Sequence, residues 1–170
     1  MYMKSSEANK RTRLLEAANK LVHAQGFNQT TLADIAKQAD VPLGNVYYYF
    51  KTKEDIGQAL IEHRAEFYRT LIAAWEKSPD PKTRILALIQ MVADQRETLA
   101  CSGCPIGSLC QELHKGGGPL ADKAATLLAA ILSWSEQQFN LLGKGQQSAD
   151  LALHLVSVLQ WASLLTHTFH

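Results

Sequence analysis

Apolar side chains recur at three- and four-residue intervals along nearly the whole chain, and no run of alternating β-branched residues interrupts them. That periodicity is the mark of amphipathic helices and makes the expected fold class all-α. From Glu7 to Gln25, the positions of Leu14, Leu15, Ala17, Ala18, Leu21 and Val22 fall on helical spacing, and Gly26 follows where a C-terminal cap belongs. Thr30 or Thr31 offers an N-cap hydroxyl for a short second helix. Asp34 stands three residues beyond Thr31 as a capping-box acid, and Leu32, Ile35, Ala36 and Ala39 form an apolar stripe. Asp40, Val41, Pro42, Leu43 and Gly44 break the pattern, because proline fixes its own φ and biases Val41 away from the α region. A third helix is expected over Asn45 to Phe50. Thr52 can cap a fourth that starts near Lys53 and passes Trp75 before Ser78, Pro79, Asp80 and Pro81 end it.

Beyond those prolines the pattern predicts a helix over about 82–100 and a Gly/Pro/Cys-containing kink through 101–107. A short helix from Ser108 to His114 comes next, and then two long helices over about 120–142 and 148–168. The expected division is a helix-turn-helix head over 1–53 and an effector-binding and dimerisation body over 54–170. Apolar residues make up 46% of the chain and charged residues 19%, and no apolar run is expected to approach the roughly 20 residues of a membrane span. Residues 1–10 are polar and do not read as a signal peptide. The expectation is a soluble cytoplasmic protein with no membrane partner.

A net charge of +1 says nothing of partners, but its distribution does. Residues 1–53 carry eight Lys/Arg against four Asp/Glu, a balance of +4 that leaves −3 for the rest. A basic head on an acidic body is the electrostatic footprint expected where only the head meets phosphate. Two short helices joined by a tight turn suit duplex DNA, since the second fits a major groove about 12 Å wide. Here that second helix carries Tyr47, Tyr48 and Tyr49 in succession. At 100° per residue, Val46 and Phe50 share an inward face, so the three rings fan out and at least two hydroxyls must reach solvent or phosphate. Lys51 and Lys53 add charge at the same edge. Thr31, at the start of the second helix, is placed for a phosphate, Asn45 and Tyr48 are candidates for base edges, and Gly44 permits close approach. The alternative is that these aromatics are core and rim of an ordinary helical hairpin.

The stretch TTLADIAKQADVPLGNVYYYFKTKEDI resembles the DNA-binding signature of the TetR repressor family over about the first 60 residues. The resemblance implies an all-helical, Ω-shaped homodimer that binds double-stranded operator DNA, with a palindromic site as the expectation. The body would bind a small effector that releases the DNA. By the same resemblance Thr31, Tyr49 and Lys53 match backbone contacts, and Leu43, Gly44, Asn45, Tyr47 and Tyr48 match groove-facing positions. Pro42 and Leu43 stand where small hydroxyl residues are common in the family, which makes readout more apolar here. The last two helices should form a four-helix bundle with their copies. Long stripes such as Leu127, Leu128, Ile131 and Trp134, and Leu151, Leu155, Val158, Leu159, Ala162 and Leu165, agree; a monomer with a large core is the alternative. The chain stops at His170, inside the implied final helix and short of the usual family length.

All three cysteines, Cys101, Cys104 and Cys110, lie within ten residues. Three readings stand: a zinc site with His114 as fourth ligand, a thiol switch, or buried unreactive thiols. A thiolate near the start of the helix at about Ser108 would be stabilised by that helix's partial positive charge, and Cys104 is best placed for it, with Cys101 or Cys110 to resolve its oxidised form. The segment GCPIGSL resembles one found in a subset of TetR-like regulators, some of which respond to electrophiles or oxidants. An effector pocket could draw on Trp75, Met91, Trp134 and Trp161, with Phe67, Leu109, Leu113 and Phe139, all of which suit a core equally. No cofactor is expected. Nor is an enzyme: Gly116 to Gly118 lacks the strand and Lys-Ser/Thr of a phosphate loop, and His63, His114, His154, His167 and His170 have no partner at motif spacing.

Overall fold

A computed structural model describes the backbone of residues 2–169 and side chains from Asn9 onward; Met1 and His170, the latter among the histidines considered above, lie outside the described residues. The chain is helical throughout, and no strand occurs among the described residues. In order the helices are α1 (Tyr2–Gln25), α2 (Leu32–Ala39), α3 (Leu43–Tyr49), α4 (Lys53–Trp75), α5 (Pro81–Asp94), α6 (Arg96–Ser102), α7 (Pro105–Gly116), α8 (Pro119–Leu141) and α9 (Ser148–Thr168), with a 3-10 turn at Gly145–Gln147. They form two compact units, one of Met1–His63 with Ser108–Ala124 and the other of Arg64–Gly107 with Ala125–His170.

In the first unit, Leu14, Ala17 and Ala18 of α1 close on Ile35, Ala36 and Ala39 of α2, Val46 of α3, Phe50, and Ile56 and Ala59 of α4. Leu14 and Val46 are fully buried. Each such large side chain contributes about 1.5–3 kcal/mol by leaving water, which makes three short helices viable as one piece. Two carboxylates fix the helix starts. Asp34 completes the expected capping box with Thr31. Asp55 accepts from the Lys51 and Thr52 amides at 2.9 and 3.0 Å while its own amide donates to Thr52 Oγ1 at 3.1 Å, so Thr52 caps α4 as expected. The 26–30 loop is held by Glu112 of α7, whose carboxylate accepts from the amides of Phe27 at 2.7 Å and Asn28 at 2.6 Å.

The second unit packs Leu88, Ile131, Trp134 and Val156 in its interior. Asp80 caps α5 through the Lys82 and Thr83 amides, with Pro81 at the first helical position, where its fixed φ suits a helix start. These hydrogen bonds, led by the Thr83 hydroxyl, hold the Asp80 carboxyl below its ordinary range.

Four expectations need correction. The single helix over 82–100 is two, because α5 ends at Asp94 and Gln95 adopts φ −90, ψ 10 before α6 begins; no glycine or proline marks that break in the sequence. The third helix spans Leu43–Tyr49 rather than 45–50, since Pro42 stands at its N-cap and the Asn45 amide already donates to the Pro42 carbonyl, while Phe50 is extended. The helix expected from Ser108 begins at Pro105. Finally, Gly145–Thr168 is long and apolar enough, by length and composition alone, to cross a membrane. His154, Ser157, Gln160 and Ser163 interrupt the run but leave its mean hydropathy high, so a search for unbroken apolar residues passes over it.

Candidate functional sites: the third helix and a thiol-lined cavity

In the first unit, α3 is anchored by Val46 and Phe50, while Tyr47 is 48% and Tyr48 65% exposed. Leu43 and Gly44 are exposed as well, and Asn45 and Tyr49 are half-buried. The Tyr48 and Tyr49 rings meet edge to face at 5.0 Å, an arrangement that fixes the angle of the outer ring. The backbone thus presents two phenols, a leucine and a glycine on one short helix with Lys51 exposed just past its end. Phenol hydroxyls and an ammonium are donors that phosphate oxygens accept, and the ring faces suit sugar and thymine methyl.

Thr31 and Lys53 are more committed than the sequence suggests. The Thr31 hydroxyl donates to Asp34 Oδ2 at 2.6 Å and accepts from the Asp34 amide at 3.1 Å. The Thr31 contacts hold the Asp34 carboxyl below its ordinary range. Lys53 Nζ donates to the Asn28 carbonyl at 2.9 Å and lies 4.9 Å from the Phe27 ring centre. An ammonium has three donors, so Lys53 retains capacity for a phosphate while it also ties down the 26–30 loop. Glu112, which holds the same loop, is missed by sequence reasoning because nothing local links a single glutamate to amides 84 and 85 positions away.

The second unit contains a small cavity of about 40 Å³. Met91 and Cys104 line it together with Tyr68, Gln95, Gln160 and Ser163 and an otherwise apolar wall. Cys104 immediately precedes α7, and its Sγ accepts from the Gly107 amide at 3.3 Å in the manner of an N-cap. The Gln160 side-chain amide approaches the same sulfur at 3.5 Å. A Cβ on Gly107 would stand 2.5 Å from Gln160 Oε1, so glycine is what admits Gln160 to that place. Gly103 precedes this turn with φ 69, ψ −168, a conformation that side chains with a Cβ resist, and it separates α6 from α7.

The other residues proposed for an effector lie elsewhere. Trp75 and Trp134 meet at a tilt of 47° with ring centres 5.3 Å apart, and Trp134 Nε1 donates to Glu76 at 3.1 Å; Trp134 is buried, Trp75 half-buried, and neither lines the cavity. Trp161 is 62% exposed. Cys101 is exposed, and Cys110, in the first unit, directs its thiol to the Ala124 carbonyl at 3.2 Å. No group of three metal-ligating side chains converges among the described residues.

Residues 14–60 match the profile of the bacterial regulatory proteins of the tetR family. The HTH-type transcriptional repressor DhaR of a Mycobacterium species is 30% identical over 143 residues, which cover 83% of this chain and 69% of DhaR. NemR of Escherichia coli, also an HTH-type transcriptional repressor, is 32% identical over 136 residues, 76% of this chain and 68% of NemR.

The chain belongs to the TetR family.

Its fold agrees: SCO4454, a TetR-family transcriptional regulator from Streptomyces coelicolor, superposes with a TM-score of 0.84 at 20% identity, over 95% of this chain and 85% of that one. The reduced form of E. coli NemR superposes at 0.77 over 92% and 86%. TetR proteins are transcription regulators, and the matched profile covers α2 and α3 in full. The TetR relatives DhaR and NemR are longer, and this chain spans about two-thirds of their length.

Proposed function

We propose that this protein is a cytoplasmic transcriptional repressor that binds a palindromic operator as a homodimer and is released by a small or thiol-reactive effector. The observation that carries the DNA reading is α3, with Val46 and Phe50 buried beneath and Tyr47 and Tyr48 standing out of the surface. Residues 1–53 serve as the reading head and 54–170 as the effector and dimerisation body. In the head, Leu43, Gly44, Asn45, Tyr47 and Tyr48 face the groove, while Thr31, Tyr49, Lys51 and Lys53 meet the backbone. Dimerisation uses α9, whose Leu153, Val158, Trp161, Leu164 and Leu165 are all exposed, an apolar face that a lone chain leaves in water.

For the effector, Cys104 carries the reading. Its sulfur faces a cavity, receives an amide at the start of α7, and belongs to the GCPIGSL segment whose likeness to electrophile-responsive TetR regulators prompts a thiol switch. An inert thiol in an ordinary pocket is the rival. A mobility-shift titration on DNA upstream of the protein's own gene, at two salt concentrations and with and without mild oxidant, separates them. Salt-sensitive binding that oxidant reverses in wild type but not in Cys104→Ser supports repressor and switch together. Reversal unchanged in Cys104→Ser removes the switch and leaves the repressor, and salt-insensitive binding removes the reading of α3.

A further inference from the structure

The cavity in the second unit has a composition that selects its occupant. Its wall contains no Asp, Glu, Lys, Arg or His. Arg64, buried nearby, donates to the Pro105 carbonyl. An ion entering such a wall would lose hydration with no charged side chain in the wall itself to offset the loss, which disfavours charged ligands. Size bounds it further. An engineered apolar cavity of about 150 Å³ holds benzene and a single water needs about 10–15 Å³, so about 40 Å³ takes only a molecule of a few heavy atoms, the largest of them with some repacking of the wall.

The polar groups that line it specify what that molecule must offer. Ser163 on α9 is only 4% exposed and lines the cavity. Tyr68 of α4 lines it as well. Two hydroxyl-bearing side chains on the wall of one small space can both donate to a single acceptor atom of a bound molecule. Burial, with the nearby Cys104 adding to it, pushes the Tyr68 phenol up to about 12, which keeps it a donor at any physiological pH. Gln160, from the same helix as Ser163, is already turned to the Cys104 sulfur.

We infer that the cavity reversibly binds a small uncharged carbonyl compound whose oxygen takes the Tyr68 and Ser163 hydroxyls, and that its occupant covers Cys104, so ligand and thiol modification exclude each other. A carbonyl oxygen has two lone pairs and needs no acceptor, which matches two donors. No bond is made or broken. This deepens the effector reading above and rests on it for its regulatory meaning, but occupancy is measured without DNA.

The probes are acetone, acetate and 2-propanol, each of four heavy atoms, followed by saturation-transfer NMR on the full chain. Affinity for so small a ligand is at best on the order of tens of micromolar. Acetone is expected to bind saturably and acetate not at all, with 2-propanol weaker. At ten times its Kd, acetone should slow iodoacetamide alkylation of Cys104 by about tenfold while leaving the exposed Cys101 unchanged. Tyr68→Phe and Ser163→Ala, checked for wild-type helical content, should each weaken acetone by roughly tenfold, the worth of one hydrogen bond to a buried group. Acetate or 2-propanol binding as well as acetone would overturn the inference, as would equal protection of both cysteines or full affinity in both variants. Because wild-type thiol protection needs no substitution, a variant that fails to fold leaves the test intact. A chain that binds acetone but no DNA would fail the repressor reading alone.

Discussion

Removing the Glu112 carboxylate should loosen the first unit at its 26–30 loop. Its two oxygens accept from consecutive amides, Phe27 at 2.7 Å and Asn28 at 2.6 Å, so Glu112→Ala strands two backbone donors at once. Hydrogen bonds to a charged group contribute about 1.5–3 kcal/mol each. Asn28 is exposed and can turn to water, whereas Phe27 is 6% exposed and cannot do so fully. Discounting the exposed member brings the loss to about 2–3 kcal/mol. In a domain of this size that lowers Tm by roughly 5–10 °C. Glu112→Gln keeps one neutral oxygen as an acceptor and should lose about half as much. Chemical denaturation followed by circular dichroism reads the first quantity and scanning calorimetry the second. A Glu112→Ala protein within about 0.5 kcal/mol of wild type would refute the argument, since that is the range of substitutions touching nothing of consequence.

Other consequences can be checked in parallel. On a selected operator, Tyr48→Ala should change sequence preference, and Lys53→Ala should weaken all sequences and lower the salt slope by about one, measured by fluorescence anisotropy at several salt concentrations. Lys53→Ala should also cost some thermal stability, because Lys53 ties the loop at Asn28. Trp161→Glu, placed on the exposed face of α9, should shift the protein toward monomer in analytical ultracentrifugation and weaken operator binding with it. Asp34 and Asp80 are held below their ordinary value of 3.8, so the folded state favours their charged forms. Their contribution is full above pH 3.8 and disappears as pH falls through the lower folded values. An Asp34→Asn, Asp80→Asn protein should therefore be less stable than wild type at pH 6 and converge on it in acid.

What could be read from the sequence, and what could not, follows the range of the interactions. The all-α class, the Thr31–Asp34 cap, the turn at Pro42 and the inward faces of Val46 and Phe50 depend on residues within a few positions of one another, and periodicity and capping chemistry display them directly. The break at Gln95 has no local signal, so it merged two helices into one. The start of α7 reads three residues late in the sequence because Pro105 looks like a breaker there, whereas it is preorganised for a first turn, with Cys104 capping it. Sites assembled across long separations were the hardest. Met91 and Cys104 stand out in the sequence, but Tyr68 and Ser163, 95 positions apart, come to line one cavity only once α4 and α9 are folded. Trp75 and Trp134 show the converse: large aromatics suit a pocket and a core equally in sequence, and only the fold shows that the two pack on each other away from the cavity.

The central claim, that α3 reads duplex DNA as one half of a symmetric pair, is tested most directly by selecting binding sites from a random duplex pool with the full-length protein. The account predicts enrichment of an inverted repeat with half-sites separated by about one helical turn or a multiple of it, and loss of that enrichment with Tyr47→Ala, Tyr48→Ala. Recovery of unenriched sequence, or of a site equally enriched by that double variant, would contradict it.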